Sequence, residues 1–263
     1  MALDKENGSS CADRRHGLGP GNVEGSAFGE RGISKRLETL SGLGPLEGKH
    51  LLDIGCASGT YTVRLAERFT HVEAIDVEPK RLRIFADRLA GSPLSDRIGL
   101  SLASAETMPY RTDTFDAVTA IEVLEHIPDL DAALAEVYRV LKPGGWFFVT
   151  GPNRYFPLES HGPLIRGRRY KPSRVPFLPW VRPLHRRWSD ARSFTVHSLG
   201  RRIRGHGFEP GGHAYLMPPF DRSPVGRRIR ALTDALERTP LHFFGLTLLI
   251  VSRKPGHPQP HRP

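Results

Sequence analysis

The sequence predicts an α/β fold in which a seven-stranded, mostly parallel sheet carries helices on both faces. Short apolar runs alternate with helical patterns through the first 150 residues, and two more apolar runs lie beyond residue 207. Strands and helices in such alternation build parallel sheets. With 263 residues and 38% hydrophobic side chains, the chain suits one large domain with a substantial core.

The first half of the predicted sheet begins with strand 51–55, an apolar run that ends in glycine, as buried parallel strands often do. A helix over 61–69 and a strand over 72–76 follow. A helix over 79–89 then starts at a proline, which suits a first helical turn. The apolar run 98–102 is the third strand.

The second half continues the alternation. Strand 115–121 precedes a helix over 130–141, in which leucines and a valine recur on one face. The run Lys-Pro-Gly-Gly at 142–145 ends this helix, because glycine and proline cannot continue it well. Strand 146–150 is the fifth.

Residues 152–192 interrupt this rhythm with seven prolines, six aromatic residues and many arginines. We interpret this segment as a cap inserted into the domain, since its composition favours neither strand nor helix. The alternation then resumes with a helix, a strand, a helix and a closing strand, at 194–207, 208–217, 225–237 and 241–251.

The two ends of the chain carry no apolar periodicity. We expect a disordered lead-in over 1–27, which is rich in glycine, serine and charge. The domain is expected to span 28–254, with a mobile, proline- and histidine-rich tail over 255–263.

The compartment is predicted from cysteine usage and hydropathy. Cys11 and Cys56 are too few for a disulfide framework or a four-cysteine zinc site. The first 30 residues lack the apolar core of a signal peptide, and the longest nearly apolar run, 241–251, is too short to span a bilayer. We expect a cytoplasmic protein.

The net charge of +10 is unevenly distributed, with −5 in residues 1–150 and +15 in residues 151–263. Such asymmetry can indicate an anionic partner, whether nucleic acid, a phospholipid surface or an acidic substrate. Since 31 of the 38 basic residues are arginine, a coding bias would produce the same excess, and both interpretations stay open.

The most informative run is 53–60, Asp-Ile-Gly-Cys-Ala-Ser-Gly-Thr, between a strand and a helix. Its glycines permit a tight turn and close approach to a ligand, but their spacing differs from that of dinucleotide-binding loops. The run resembles the first motif of class I S-adenosylmethionine-dependent methyltransferases, with Ala57 at the middle glycine. The resemblance covers about residues 45–151. It implies a Rossmann-like sheet of order 3-2-1-4-5-7-6 whose last strand is antiparallel.

The resemblance also implies S-adenosylmethionine as cofactor and S-adenosylhomocysteine as product. Asp76 ends the second strand, where a carboxylate can accept hydrogen bonds from ribose hydroxyls. Ser104 stands where the family has an aspartate near the adenine, which leaves the amide of Ala105 for that contact. Arg31 or Arg36 is expected to pair with the cofactor carboxylate. The predicted cofactor-binding residues are Arg31, Asp53, Gly55, Cys56, Ala57, Gly59, Asp76, Val77, Ser104, Ala105, Glu106, Ile121 and Glu122.

Methyl transfer from a sulfonium depends mainly on alignment of the reactants. A hydroxyl acceptor also needs a base, and His126, in the loop after the fourth strand, is the first candidate. Its alternative is a capping or packing role. Tyr155 and His161, in the cap, are weaker catalytic candidates. No carboxylate and histidine cluster is evident along the sequence, so no metal is expected.

A small-molecule acceptor is favoured, with oxygen ahead of nitrogen or carbon. Residues 121–124 lack the Asp- or Asn-Pro-Pro-aromatic pattern of base N-methyltransferases, so nucleic acid is not the expected acceptor. Residues 122–126, Glu-Val-Leu-Glu-His, resemble those of quinone-biosynthesis methyltransferases, and the basic, aromatic cap could rest on an anionic membrane. The alternatives are a lipid-quinone enzyme at the membrane surface and a non-catalytic cofactor-binding protein that tethers nucleic acid.

Overall fold

A computed structural model describes residues 29–218 and 231–256 of the chain. The predicted lead-in over 1–27, the first part of the predicted helix 225–237 and most of the predicted tail over 255–263 lie outside these ranges.

The main sheet has seven strands in the order β3-β2-β1-β4-β5-β9-β8. The pairs from β3 to β5 are parallel, whereas β9 runs antiparallel to both β5 and β8. This confirms the predicted order, because β8 and β9 are the sixth and seventh strands of the main sheet. Two further strands form a hairpin in the cap. The strands are β1 (Gly48–Ile54), β2 (Phe69–Asp76), β3 (Ile98–Leu102), β4 (Phe115–Ile121), β5 (Leu141–Pro152), β6 (Leu164–Ile165), β7 (Arg168–Arg169), β8 (Glu209–Leu216) and β9 (Thr247–Arg253).

Helices cover both faces of this sheet. The α-helices are α1 (Glu30–Leu43), α2 (Thr60–Leu65), α3 (Pro79–Leu89), α4 (Leu130–Val140), α5 (Arg182–Trp188) and α6 (Val196–Gly205). Residues 231–236 are also helical. Short 3₁₀ turns lie at Pro172–Arg174, Leu178–Trp180 and Pro240–Phe244.

The core consists of two apolar clusters that follow the alternation of side chains along the strands. Phe147 and Phe148 are neighbours on β5 and both are fully buried, yet they belong to different clusters. Successive strand residues point to opposite faces, so one cluster lies on each side of the sheet. The cluster with Phe147 includes Leu134 of α4, and the cluster with Phe148 includes Phe85 of α3.

Several element boundaries differ from the sequence prediction; β5, for example, begins at Leu141 rather than at residue 146. Two other differences have an identifiable local cause. Helix α2 ends at Leu65 rather than at Phe69, because Phe69 is buried as the first residue of β2. The closing strand begins at Thr247 rather than at residue 241. Pro240 opens a 3₁₀ turn there, and the hydroxyl of Thr239 accepts a hydrogen bond from the amide of Leu241 at 3.2 Å.

Within 29–218 and 231–256, no helix combines the length and apolarity that a membrane span requires. The parallel strands place their carboxyl ends along one edge of the sheet, and the loops that follow β1, β2, β3 and β4 meet there. Ligands of open α/β sheets bind at this edge.

Candidate active site

The loop after β1 is held by backbone hydrogen bonds, and the packing around it leaves no room for a side chain at Gly59. The amides of Gly55 and Cys56 both donate to the carbonyl of Ile75, at 2.8 and 3.0 Å. Gly59 has a φ of +83°, and a Cβ built on it would lie 2.1 Å from a ring carbon of Phe85. Ala57, at the middle position of the motif, also has a positive φ of 48°. The loop therefore keeps a strained, tightly packed turn, as ligand-binding loops often do.

Asp76 supports this loop from the end of β2. One carboxylate oxygen accepts a hydrogen bond from the amide of Ala57 and the other from the amide of Glu78, both at 2.8 Å. A carboxylate offers about four acceptor positions, so each oxygen retains capacity for a hydroxyl donor. Asp76 is only 6% exposed, and Val77 beside it is 69% exposed. This arrangement fits a bound ribose, and the ribose contact itself remains a prediction.

Asp53 is buried and forms hydrogen bonds inside the domain. Its two oxygens accept hydrogen bonds from the hydroxyls of Thr62 and Thr119, each at 2.7 Å. Burial raises the pKa of Asp53 to about 6, although the two hydroxyl hydrogen bonds oppose that shift. The side chain thereby joins β1, α2 and β4 beneath the loop, and its direct contact with a cofactor stays a prediction.

A buried arginine from α1 connects four parts of the domain. Arg36 is 2% exposed and pairs with the Oε1 atom of Glu122 at 3.3 Å. It also donates to the hydroxyl of Thr247 at 3.0 Å and contacts the hydroxyl of Tyr61. Glu122, at the end of β4, has a positive φ of 56°. Of the two arginines considered from the sequence, Arg36 therefore lies at the strand edge. Arg31 instead pairs with Asp234 at 2.8 Å on the surface.

The loop after β3 is joined to the start of α4 through Glu106. One oxygen of Glu106 accepts from the Ser104 hydroxyl at 2.9 Å, and the other accepts from the amide of Asp129 at 2.7 Å. Ser104 therefore positions the turn through Glu106, while Ala105 is buried.

Two further predicted cofactor residues are buried beside the loop: Ile121, the last residue of β4, and Cys56. Burial raises the pKa of the Cys56 thiol well above its usual value, with the charges of Asp53 and Asp76 adding to the effect. Cys56 therefore stays a neutral thiol, and it is free of any disulfide.

His126 and His161 meet although they come from different parts of the chain. Their rings contact edge to face with centroids 4.9 Å apart. Burial lowers the pKa of His126, and the nearby His161 lowers it further, so His126 is a neutral base near pH 7. Burial opposes the charge on His161 as well, but the carboxylate of Glu159, 3.7 Å from Nδ1, raises its pKa on balance. The structure thus brings together two histidines that the sequence analysis considered separately.

Glu125 is a buried carboxyl group that the sequence analysis did not assign. Its side chain is fully buried, and neither oxygen has a hydrogen-bond partner among the described residues. Burial raises its pKa well above the usual value, and the charge of Glu122 adds to that shift. Its Oε1 atom lies 3.9 Å from Nε2 of His161.

Donor atoms of Glu125, His126 and His161 all lie within 4.8 Å of one another, so the three could share a cation. This grouping runs against the expectation that no such cluster exists. His161 is 35 residues beyond His126, and only the folded cap brings it close.

Tyr155 lies apart from the histidines. Its ring packs against Phe243 with centroids 4.1 Å apart, and its carbonyl accepts a hydrogen bond from the indole of Trp180 at 3.2 Å. These contacts place Tyr155 in an aromatic group of the cap and the 3₁₀ turn before β9.

A cavity of about 510 Å³ lies between the end of β4 and the cap. His126 and Glu125 line its inner side, and α5 of the cap lines its outer side. The cap is anchored to the sheet edge, since the amide of Phe194 donates to the carbonyl of Pro152 at 2.9 Å and the amide of Arg154 donates back to Phe194 at 2.7 Å. The cavity is large enough for a small-molecule acceptor.

The sheet order and the loop geometry resemble those of class I S-adenosylmethionine-dependent methyltransferases. The family model described as a methyltransferase domain matches residues 52–149, which run from within β1 through most of β5. Residues 52–149 therefore resemble the methyltransferase-domain family.

Similar proteins include a sterol 4-C-methyltransferase of Caenorhabditis elegans, 34% identical over 49% of this chain and 39% of the relative. A ubiquinone biosynthesis O-methyltransferase of Paracidovorax citrulli is 37% identical over 45% of this chain and 50% of the relative. A solved S-adenosylmethionine-dependent methyltransferase of Mesorhizobium loti shares the fold, with a TM-score of 0.60, 20% identity and coverage of 89% of this chain and 100% of that one. The chain thus spans half or less of the length of the two curated relatives.

Proposed function

We propose that this protein methylates a hydroxyl oxygen of a small-molecule acceptor held in the cavity between β4 and the cap. The observation that carries the proposal is the position of His126. This neutral base lies on the wall of the cavity, four residues after Glu122 in the loop that follows β4. The similarity to a sterol 4-C-methyltransferase and to a ubiquinone biosynthesis O-methyltransferase supports a small-molecule acceptor.

When bound, S-adenosylmethionine supplies a sulfonium methyl group, and its transfer leaves a neutral thioether. The chain's own residues then have two tasks. The loop over Gly55 to Gly59 and the carboxylate of Asp76 would hold the cofactor at the sheet edge, while Arg36 and Glu122 fix the edge beside it. His126 would accept the hydroxyl proton as the oxygen becomes an ether.

His161 would position this base. Its ring lies edge-on against His126, and Glu159 holds it from the other side. With its raised pKa, His161 carries more positive charge than a free histidine, and that charge favours the neutral form of His126. We therefore assign proton acceptance to His126 and orientation to His161. Tyr155, packed on Phe243, has a structural role in this proposal.

The test begins with calorimetric titration of the purified protein with S-adenosylmethionine and S-adenosylhomocysteine. Transfer of labelled methyl groups to hydroxylated aromatic and sugar compounds follows, with the matching methyl ethers as controls that lack the acceptor hydroxyl. Label in the hydroxylated compounds alone supports O-methylation. Cofactor binding without transfer to any acceptor would instead favour the non-catalytic alternative.

A second candidate is a lipid-quinone methyltransferase that works at a membrane surface. The observation that favours it is an exposed apolar patch on the cap and the neighbouring 3₁₀ turn, formed by Phe177, Trp180 and Phe244, which are 49%, 48% and 40% exposed. Trp180 contacts both phenylalanines, with ring centroids 4.8 and 6.5 Å away. Exposed aromatic side chains beside arginines are typical of membrane-surface contacts.

Sedimentation with vesicles separates the two candidates. Vesicles with 30% phosphatidylserine should retain the wild-type protein, and Trp180→Ser should reduce retention, if the second candidate is correct. Leu102→Ser is the matched control, because Leu102 is 61% exposed and lies on β3, the outermost strand on the side of the sheet away from β9 and β8. Equal retention of both variants would contradict the membrane proposal. We place either form of the enzyme in the cytoplasm, where the free Cys56 stays reduced.

A further inference from the structure

The outer wall of the cavity is unusually rich in positive charge. Five arginines line it. Four belong to the cap and one, Arg202, belongs to α6. The cap residues are Arg154 at its start, Arg182 and Arg186 of α5, and Arg192 at its end. Two acidic residues line the same cavity, Glu125 and Asp190. Five arginines outnumber these two acidic residues, and Asp190 already pairs with Arg169 at 2.6 Å, so the cavity holds more cations than anions.

Two of these arginines connect separate elements of the domain. Arg192 donates to the carbonyls of Ile127 and Pro128, both at 2.6 Å, and so fastens the cap to the loop after β4. Arg202 pairs with Asp131 at 3.3 Å on the surface. Their charges are engaged by the protein itself.

Arg182 and Arg186 differ from them. They stand four residues apart on α5, so they share one face of the helix, and both line the cavity. Neither guanidinium group has a hydrogen bond or ion pair with another described residue. Arg154 faces them from the start of the cap, and its guanidinium is oriented by a hydrogen bond to the carbonyl of Ser193 at 2.6 Å.

The three guanidinium groups influence one another. Burial lowers the pKa of Arg154, and the positive charges of Arg182 and Arg186 lower it further. Like charges held together raise the free energy of the empty site, and an anion bound among them relieves that repulsion. Guanidinium groups also bind carboxylates and phosphates through paired hydrogen bonds.

We infer that Arg154, Arg182 and Arg186 form a subsite for an acidic group, a carboxylate or a phosphate, on the methyl acceptor. This inference rests on the proposed function, since it names the substrate class of the same cavity. The acceptor would carry its anionic group toward α5 and its hydroxyl toward His126 on the opposite wall. Neutral acceptors would lose this anchoring contact.

The test uses phenyl phosphate and benzoate as anionic probes and phenol as the neutral comparison, each titrated into the 263-residue protein by calorimetry. The informative variant is Arg182→Gln/Arg186→Gln. The matched control is Arg168→Gln/Arg187→Gln, which removes the same charge from exposed arginines of the cap that do not line the cavity.

We expect the anionic probes to bind at least 10-fold more tightly than phenol. The Arg182→Gln/Arg186→Gln variant should lose at least 10-fold in anion affinity, as expected for lost charge-assisted hydrogen bonds. The control should stay within 2-fold of wild type. Equal binding of phenol and phenyl phosphate, or equal losses in the two variants, would overturn the inference.

Two further measurements distinguish an acceptor subsite from a failure of the proposed function and from binding to a lipid phosphate. Titration of each variant with S-adenosylhomocysteine reports the cofactor site separately, so a wild-type protein that binds anions but no cofactor would refute the proposed function and not the subsite. Sedimentation with phosphatidylserine vesicles addresses a lipid source of the phosphate. Loss of vesicle binding in Arg182→Gln/Arg186→Gln alone, with no binding of the free probes, would overturn the assignment to a small acceptor.

Discussion

Replacing Gly59 by alanine should destabilise the protein through one identifiable contact. The new Cβ would lie 2.1 Å from a ring carbon of Phe85, which is fully buried in α3. A side chain at a φ of +83° costs about 1 to 2 kcal/mol, and overpacking a core costs about 1 to 3 kcal/mol more. We expect the free energy of unfolding to fall by about 2 to 5 kcal/mol.

Gly91→Ala provides the matched control for the backbone contribution. Gly91 has a φ of +73°, close to that of Gly59, but a Cβ there would meet no atom within 4 Å. Its loss should be only about 1 to 2 kcal/mol, from the left-handed conformation alone. Urea unfolding of both variants, compared at equal m-values, measures the difference.

The double variant Gly59→Ala/Phe85→Leu tests the contact directly. If the alanine methyl group collides with the ring, the two substitutions should together cost at least 1 kcal/mol less than the sum of the single losses. The reasoning is refuted if Gly59→Ala costs no more than Gly91→Ala, or if the losses simply add. Cofactor affinity should fall with Gly59→Ala and stay unchanged with Gly91→Ala, since Gly91 lies beyond α3 and away from the loop.

Three other predictions concern single side chains. Asp76→Ala should weaken S-adenosylmethionine binding about 10- to 100-fold, because it removes charge-assisted hydrogen bonds; a lowered melting temperature with unchanged affinity would leave Asp76 a support of the loop only. His126→Gln should slow methyl transfer about 10²- to 10⁴-fold with cofactor affinity intact, and the wild-type rate should fall with acid only below the ordinary histidine pKa of 6.5, whereas an unchanged rate removes His126 as the base. Asp53→Asn should change the pH dependence of stability. The pKa of Asp53 is 3.8 in the unfolded chain and about 6 in the folded protein, so between these values the folded state binds the extra proton and the wild type loses about 1.4 kcal/mol of stability per unit rise in pH, relative to the variant. Parallel curves of unfolding free energy against pH, measured with urea, would contradict the raised pKa.

The central sheet could be predicted closely because its signals are local. Strands β3 and β4 and helix α3 begin and end where the apolar runs and the proline at position 79 indicate. Boundaries were less accurate where a short turn decides them. The closing strand starts late because Pro240 forms a 3₁₀ turn in an apolar run that, by periodicity alone, resembles a strand.

The candidate site divides in the same way. The loop at 53–60 and Asp76 follow strand ends and were found from the motif. The contact between His126 and His161 depends on how a proline-rich cap of irregular structure folds back, and no periodicity in the sequence encodes that path. The role of Glu125 is not predictable from the sequence, because a glutamate beside a strand end usually faces water. Here the cap buries it, and only the structure shows that its oxygens have no hydrogen-bond partner among the described residues.

The network around Arg36 has a consequence for how the protein matures during synthesis. Arg36, Glu122 and Thr247 are separated by 86 and 125 residues in the chain, yet the arginine binds both of the others. A ribosome must therefore release the chain past Thr247 before this corner can close, and contacts so distant in sequence form late in folding. The part of the strand edge that Arg36 holds together would therefore be completed only after β9 is synthesised.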